Sequence, residues 1–81
     1  MITLKDLRPG ESGTVQQLLV SGQERGRFMA MGLIKGALVK VIRLAPLGDP
    51  MEVEVKSYRL SLRRAEAAQI MVIPHTRERG K

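Results

Sequence analysis

Residues 43–55 read RLAPLGDPMEVEV. Met51, Val53 and Val55 alternate with Glu52 and Glu54, the period-two pattern of a half-buried strand. The residues before Pro46, VKVIRLA, also read as a strand. Between the two strands lie Pro46, Leu47, Gly48, Asp49 and Pro50. A tight hairpin needs only two residues, of Asn-Gly type. Five residues bracketed by prolines instead make a stiff, shaped loop. Leu47 then has two roles open to it. It can be presented to a partner from the loop, or it can fold back and cap one end of the core.

The same reading extends outward. Thr3-Leu4-Lys5-Asp6 fits a capping box and places Leu4 and Leu7 on one short helical turn. Pro9-Gly10 ends that turn. Gly13 to Val20 reads as a strand rich in aliphatic and β-branched residues. Gln23 to Met31 is the best helix, with Phe28 and Met31 on one face and Gly32 supplying the left-handed position after it. Ile34-Lys35-Gly36 reads as a turn, again with glycine where φ is positive.

Ala37 to Ala45 reads as a strand. Val39, Val41, Ile42 and Leu44 cannot all face one way, so either both faces are covered or a bulge intervenes. Beyond Lys56-Ser57 the parity changes to Tyr58, Leu60 and Leu62, which requires a tight turn or a bulge. This parity points Tyr58 inward and puts Arg59, Ser61 and Arg63 on the polar side. Arg64 to Gln69 makes about one helical turn, and Ile70 to Ile73 a closing strand before Pro74. The expected domain spans residues 1–74, with 75–81 a disordered tail lacking an apolar anchor. About five short strands with small turns, and no room for parallel crossovers, define an all-β chain: a small antiparallel barrel with one short helix between its first two strands.

At 81 residues the chain is one domain. Such a chain buries only about 60% of its unfolded surface, leaving little room for an internal substrate cavity. Aromatic residues make up 2% and tryptophan is absent, so Val, Leu, Ile, Met and Ala must build the core. The absence of cysteine removes disulfides, thiolate metal sites and cysteine catalysis. No apolar leader follows Met1, because Lys5 and Asp6 interrupt the start. No apolar run approaches the roughly 20 residues needed to cross a bilayer. A cytoplasmic location is the resulting expectation.

The charge of +6 favours an anionic partner: nucleic acid, an anionic membrane surface or an acidic protein face. Arg25 and Arg27 cluster near the helix, and Arg59, Arg63 and Arg64 on and just beyond the fourth strand. Nucleic-acid binding by small barrels usually adds stacking aromatics, and Tyr58 is the one candidate.

Residues for catalysis are missing. His75 is the only histidine and falls in the expected tail. Glu52 and Glu54 on one strand face could pair on a hard cation, but they read more simply as a solvated face balanced by Lys40, Lys56 or Arg59. Met29, Met31, Met51 and Met71 could suggest a soft-metal site, yet their spacing sets most of them on core faces, where methionine fills gaps. There is no P-loop, dinucleotide fingerprint or nucleophile elbow. Neither catalysis, a cofactor nor a metal site is expected.

From Leu4 to about Val72 the chain resembles the ferrous iron transport protein A (FeoA) family. Residues 37–70, ALVKVIRLAPLGDPMEVEVKSYRLSLRRAEAAQI, carry the most specific part of the resemblance. Leu4-x-x-Leu7-x-x-Gly10, Gly13-x-Val15 and Arg27-Phe28-x-x-Met31-Gly32-Leu33 resemble the family's first half. Three positions depart from the family pattern: Lys35 where proline often precedes the turn glycine, Ser57 where glycine is common, and Phe28 for an aliphatic residue. These touch turns and packing.

The resemblance implies an SH3-like small β-barrel. It also implies a cytoplasmic accessory protein of ferrous iron uptake, acting by protein–protein contact with the membrane iron transporter that bears a G-protein domain (FeoB). Proximity to the membrane would be peripheral. The residues assigned to partner contact are Arg27, Met31, Leu33, Leu47, Asp49, Arg59, Arg63 and Arg64. Gly32, Gly36, Pro46, Gly48 and Pro50 are assigned to shaping turns. Two competing functions fit the charge and size: a nucleic-acid-binding small β-barrel, and a free-standing metal-responsive regulatory domain, since the C-terminal domains of iron-dependent repressors are similar. Sparse outward aromatics count against the first. A single histidine, no cysteine and no convergent carboxylates count against the second.

Overall fold

Alternating apolar residues and well-placed turn glycines produce five strands in a computed structural model that describes residues 1–75. The strands are β1 (Ser12–Leu18), β2 (Leu38–Leu44), β3 (Met51–Val55), β4 (Tyr58–Leu62) and β5 (Ile70–Pro74). Helix α1 (Gly22–Ala30) lies between β1 and β2, helix α2 (Arg64–Ala67) between β4 and β5, and a 3-10 turn at Leu4–Asp6 precedes β1. All strand pairs are antiparallel, in the order β4-β3-β2-β1-β5. This is the SH3-like barrel expected from the sequence. No β4–β5 ladder closes the ring among the described residues. The outer edge of β5 is covered by a Thr3–Met71 bridge and by the Val72 N–H, which donates to the Ile2 carbonyl.

The imperfect alternation in β2 resolves as a bulge. Its register with β3 shifts between Val41 and Arg43, so Val39 and Val41 stay buried while Ile42 is the extra residue. A second irregularity falls between Val15 and Gln17 of β1. The parity change after β3 is a two-residue turn, with Val55 paired to Tyr58 and Lys56 at a φ of 59°.

Helix α1 is polar, and Phe28 is its buried residue. Its end forms a Schellman motif: Leu33 N–H donates to the Phe28 carbonyl at 3.1 Å and Gly32 N–H to the Met29 carbonyl at 3.0 Å. Gly32 permits this with a φ of 91°. The motif delivers Phe28 and Leu33, both fully buried, into one core with Leu4, Met51, Leu62 and Ile70. Thr3 and Asp6 make the expected capping box, the Thr3 N–H donating to Asp6 Oδ2 at 2.9 Å.

Two expectations need correction. Tyr58 does not point into the core: it is 43% exposed, and its hydroxyl donates to the Met31 carbonyl at 2.7 Å. Of the four methionines expected mostly on core faces, Met51 is buried and Met31 and Met71 are half-buried, with Met29 the exposed one. His75 is tied to the sheet, its N–H donating to the Ser12 carbonyl and its Nε2 lying 2.7 Å from the Thr14 hydroxyl. The remainder of the expected tail, 76–81, lies outside the described residues.

Candidate functional site: a braced loop and its basic surroundings

The loop between β2 and β3 is held at its base. Ala45 N–H donates to the Pro50 carbonyl at 3.0 Å, and Gly48 N–H to the Ala45 carbonyl at 2.7 Å. Pro46 sits where a turn favours its fixed φ, and Gly48 adopts a φ of 88°. A second brace comes from α2. Asp49 Oδ1 accepts the Arg64 N–H at 3.1 Å, and the Arg64 guanidinium reaches the Gly48 carbonyl at 3.4 Å. Leu47 projects from this frame with 96% of its surface exposed. It does not fold back onto the core.

The other assigned residues fall into distinct settings. Arg27 is engaged within the fold. It donates to Glu24 at 2.9 Å and to Glu66, and its guanidinium carbon lies 5.3 Å from the centroid of the Phe28 ring. Arg27 thus ties α1 to α2. Glu66 in turn caps α2 by accepting the Arg63 N–H at 2.9 Å. That bond, with the Arg27 contact next in weight, holds the Glu66 carboxyl below its ordinary range. The Glu66 hydrogen bond raises Arg27 in the same exchange, with Glu24 adding to it.

Arg59 faces outward from β4, opposite Glu54, and approaches Glu52 at 3.7 Å. Arg43, which the sequence reading passed over, reaches the same Glu52 at 3.3 Å. On this outer face Glu52 thus takes ion pairs from both neighbouring strands, Arg43 of β2 and Arg59 of β4. Arg63 is exposed, Arg64 braces the loop, and Met31 is half-buried against the core.

Leu33 is the assignment the structure overturns. It is fully buried, as the hydrophobic member of the Schellman motif, and offers nothing to a partner. Leu33 thus lies apart from the other assigned residues, in the core. Gly48, Asp49 and Arg64 gather around the Leu47 loop, Asp49, Arg63 and Glu66 line one open pocket beside it, and Arg27 adjoins that pocket through Glu66 while tying the two helices together. Among the described residues no three His, Cys, Asp or Glu side chains gather as metal ligands. No helix there is long and apolar enough to cross a membrane.

Outward groups that the sequence reading missed are Leu38 and Ile73, 56% and 52% exposed. The signal lay in β2 itself: with Val39 and Val41 inward, Leu38 and Lys40 must point out.

A bent five-stranded antiparallel sheet with a braced, leucine-tipped loop defines a small SH3-like domain. The chain belongs to the FeoA family, whose model, described as the FeoA domain, matches residues 2–74. A curated relative from Porphyromonas gingivalis strain W83 is a fusion of Fe(2+) transport protein A with the Fe(2+) transporter FeoB. It is 35% identical over 69 residues, covering 85% of this chain and 8% of the relative. The chain thus spans less than a tenth of that protein's length.

The solution structure of the FeoA protein from Chlorobium tepidum is 38% identical, with a TM-score of 0.87 over 98% of this chain and 75% of that one. The zinc-complexed FeoA of Stenotrophomonas maltophilia is 30% identical, with a TM-score of 0.73 over 89% of each chain. It is described as a prokaryotic SH3 domain protein and as a suggested activating factor of ferrous iron transport.

Proposed function

We propose that this protein is a cytoplasmic accessory and regulatory protein of ferrous iron uptake, acting by direct contact with the membrane transporter FeoB. The observation that carries this reading is the Porphyromonas gingivalis fusion, in which a segment like this chain is joined covalently to that transporter. Covalent joining raises the effective concentration of two modules that work in contact. A domain that is not joined in this way needs binding energy of its own.

The Leu47 loop is suited to supply it. The proline-bracketed frame and the Asp49–Arg64 brace order the loop before any encounter. Docking Leu47 then costs little further conformational entropy. Burying a leucine side chain contributes about 1.5–3 kcal/mol, roughly tenfold to hundredfold in affinity. Arg63 and Arg59 extend a basic flank that would meet acidic groups on the transporter.

Amide shift mapping of the labelled protein against the cytoplasmic portion of FeoB tests the reading. Saturable shifts centred on residues 46–50 are expected. Leu47→Ala should weaken binding at least about tenfold with an unchanged melting temperature. Unaltered affinity in Leu47→Ala would remove the loop from the contact. Failure of the full-length transporter to bind in detergent or nanodiscs would remove the contact itself.

A further inference from the structure

Most acids of the described residues are engaged. Asp6 and Glu11 accept backbone N–H groups at turns, and Asp49 and Glu66 do so for α2. Glu24 and Glu66 share Arg27, and Glu52 joins Arg43 and Arg59. The cations neutralised in this way are arginines. Lys35, Lys40 and Lys56 have no ion pair among the described residues, and they meet at one place. Together with Ile34, Leu38 and Glu54 they line an open groove of about 510 Å³.

The sheet register builds this groove. Leu38 and Lys40 project from the outer side of β2, alternating with buried Val39 and Val41. Lys40 stands opposite Glu54 and Val39 opposite Val55, which brings Leu38 opposite Lys56. The turn leading into β2 is fixed: Ala37 N–H donates to the Ile34 carbonyl at 2.9 Å, and Gly36 N–H to the Val15 carbonyl at 2.8 Å. The apolar part of the lining is therefore firmly placed, with Ile34 38% and Leu38 56% exposed. The charged part of the lining is three lysines against one glutamate.

We infer that this groove binds an extended acidic peptide segment carrying an aliphatic side chain between its carboxylates. The aliphatic side chain covers Ile34 and Leu38, and the carboxylates meet Lys35, Lys40 and Lys56. Glu54 repels acid at one end and so sets the direction in which the segment lies. Other anionic occupants fit less well. No aromatic side chain lines the groove for a base to stack on. A bilayer takes up projecting apolar groups, and this surface is concave. Lysine ammoniums are point charges without the planar fork that favours bidentate phosphate. The inference does not rest on contact with FeoB, and its test uses no transporter.

The probe is the blocked pentapeptide acetyl-Asp-Glu-Leu-Asp-Glu-amide, titrated into the labelled full chain and followed by amide shifts. A peptide with lysine in place of each acid and vesicles of phosphatidylglycerol serve as comparisons. Saturable shifts confined to residues 34–40 and 54–56 are expected with the acidic peptide alone. They should weaken between about 50 and 300 mM salt, as exposed charges are screened. Combined Lys35→Glu and Lys40→Glu should weaken binding about tenfold, and the milder Lys40→Gln about threefold. Leu38→Ser should also weaken it while the remaining amide spectrum stays folded. Any one of three results overturns the inference: no saturable shifts at millimolar peptide, equal shifts with the basic peptide, or a response of these residues to vesicles alone.

Discussion

Two glycines with the same φ and different neighbours allow one contact to be weighed. Gly32 has a φ of 91°, and a Cβ built there would lie 2.9 Å from the Tyr58 hydroxyl oxygen and 3.3 Å from Val55 Cγ1. Gly36 has a φ of 92°, and a Cβ there would meet nothing within 4 Å. Alanine in left-handed backbone costs about 1–2 kcal/mol. The lower freedom of its unfolded chain returns about 0.4–1 kcal/mol. Both effects are common to Gly32→Ala and Gly36→Ala and cancel between them.

Only Gly32→Ala must push the Tyr58 hydroxyl away from the Met31 carbonyl. Tyr58 is 43% exposed, so the displaced hydroxyl finds water. The loss is then that of an ordinary net hydrogen bond, about 0.5–1.5 kcal/mol. Gly32→Ala should thus be less stable than Gly36→Ala by about 1 kcal/mol, or about 4–8 °C in melting temperature for a domain of this size. Thermal unfolding followed by circular dichroism measures the gap. Repeating the pair in a Tyr58→Phe background removes the hydroxyl, and the gap should narrow. Equal melting of the two single variants, or a gap undiminished with Phe at 58, would refute the reasoning.

Two further outcomes follow from burial and charge. Leu33→Ala should cost about 2–5 kcal/mol in urea unfolding, because its side chain is wholly inside the core; a loss under about 0.5 kcal/mol, the usual range for surface positions, would return Leu33 to the surface. The lowered Glu66 carboxyl contributes stability that is complete above its ordinary value of 4.5 and is lost as pH falls through its folded value. Glu66→Gln should therefore show a shallower fall in stability on acidification below about 4.5 than the parent protein, and parallel curves would assign the acid loss elsewhere.

Strand parity and turn chemistry made most of the fold legible. Met51, Val53 and Val55 announced β3, and the surplus apolar residue of β2 left two readings open, a strand covered on both faces or a bulge, of which the structure has the bulge. Gly32 and Gly36 lie where a positive φ was expected. Parity failed at Tyr58 for a physical reason. It tells which side of a strand a residue occupies, and the first residue after a two-residue turn sits at the rim of that side. Leu33 was misjudged because a helix C-cap directs the chain back inward, a consequence of hydrogen bonds that residue spacing does not reveal. The Arg27–Glu66 pair joins residues far apart in sequence, and only the packing of α1 near α2 brings them together. Leu47 was the converse case: the loop was recognisable, but which way its leucine pointed depended on the braces from Asp49 and Arg64.

The two proposed contact surfaces sit at opposite ends of β2. The groove begins at Leu38, and the Leu47 loop starts beyond Leu44. Six strand steps of about 3.3 Å separate Leu38 from Leu44 by roughly 20 Å. Sites that far apart, with no shared partners, contribute additively to stability. Their separation also exceeds the Debye length of about 8–10 Å at physiological salt, so the groove lysines exert little force on charges that meet the loop. One small ligand cannot touch both surfaces, whereas a folded partner with an acidic extended segment could reach both at once. Simultaneous engagement would make the second contact intramolecular and multiply affinity without any new interaction. Loss of either contact would then weaken a full-length partner by at most the factor it costs the isolated segment that makes that contact, while the doubly held partner still binds more tightly than either segment alone.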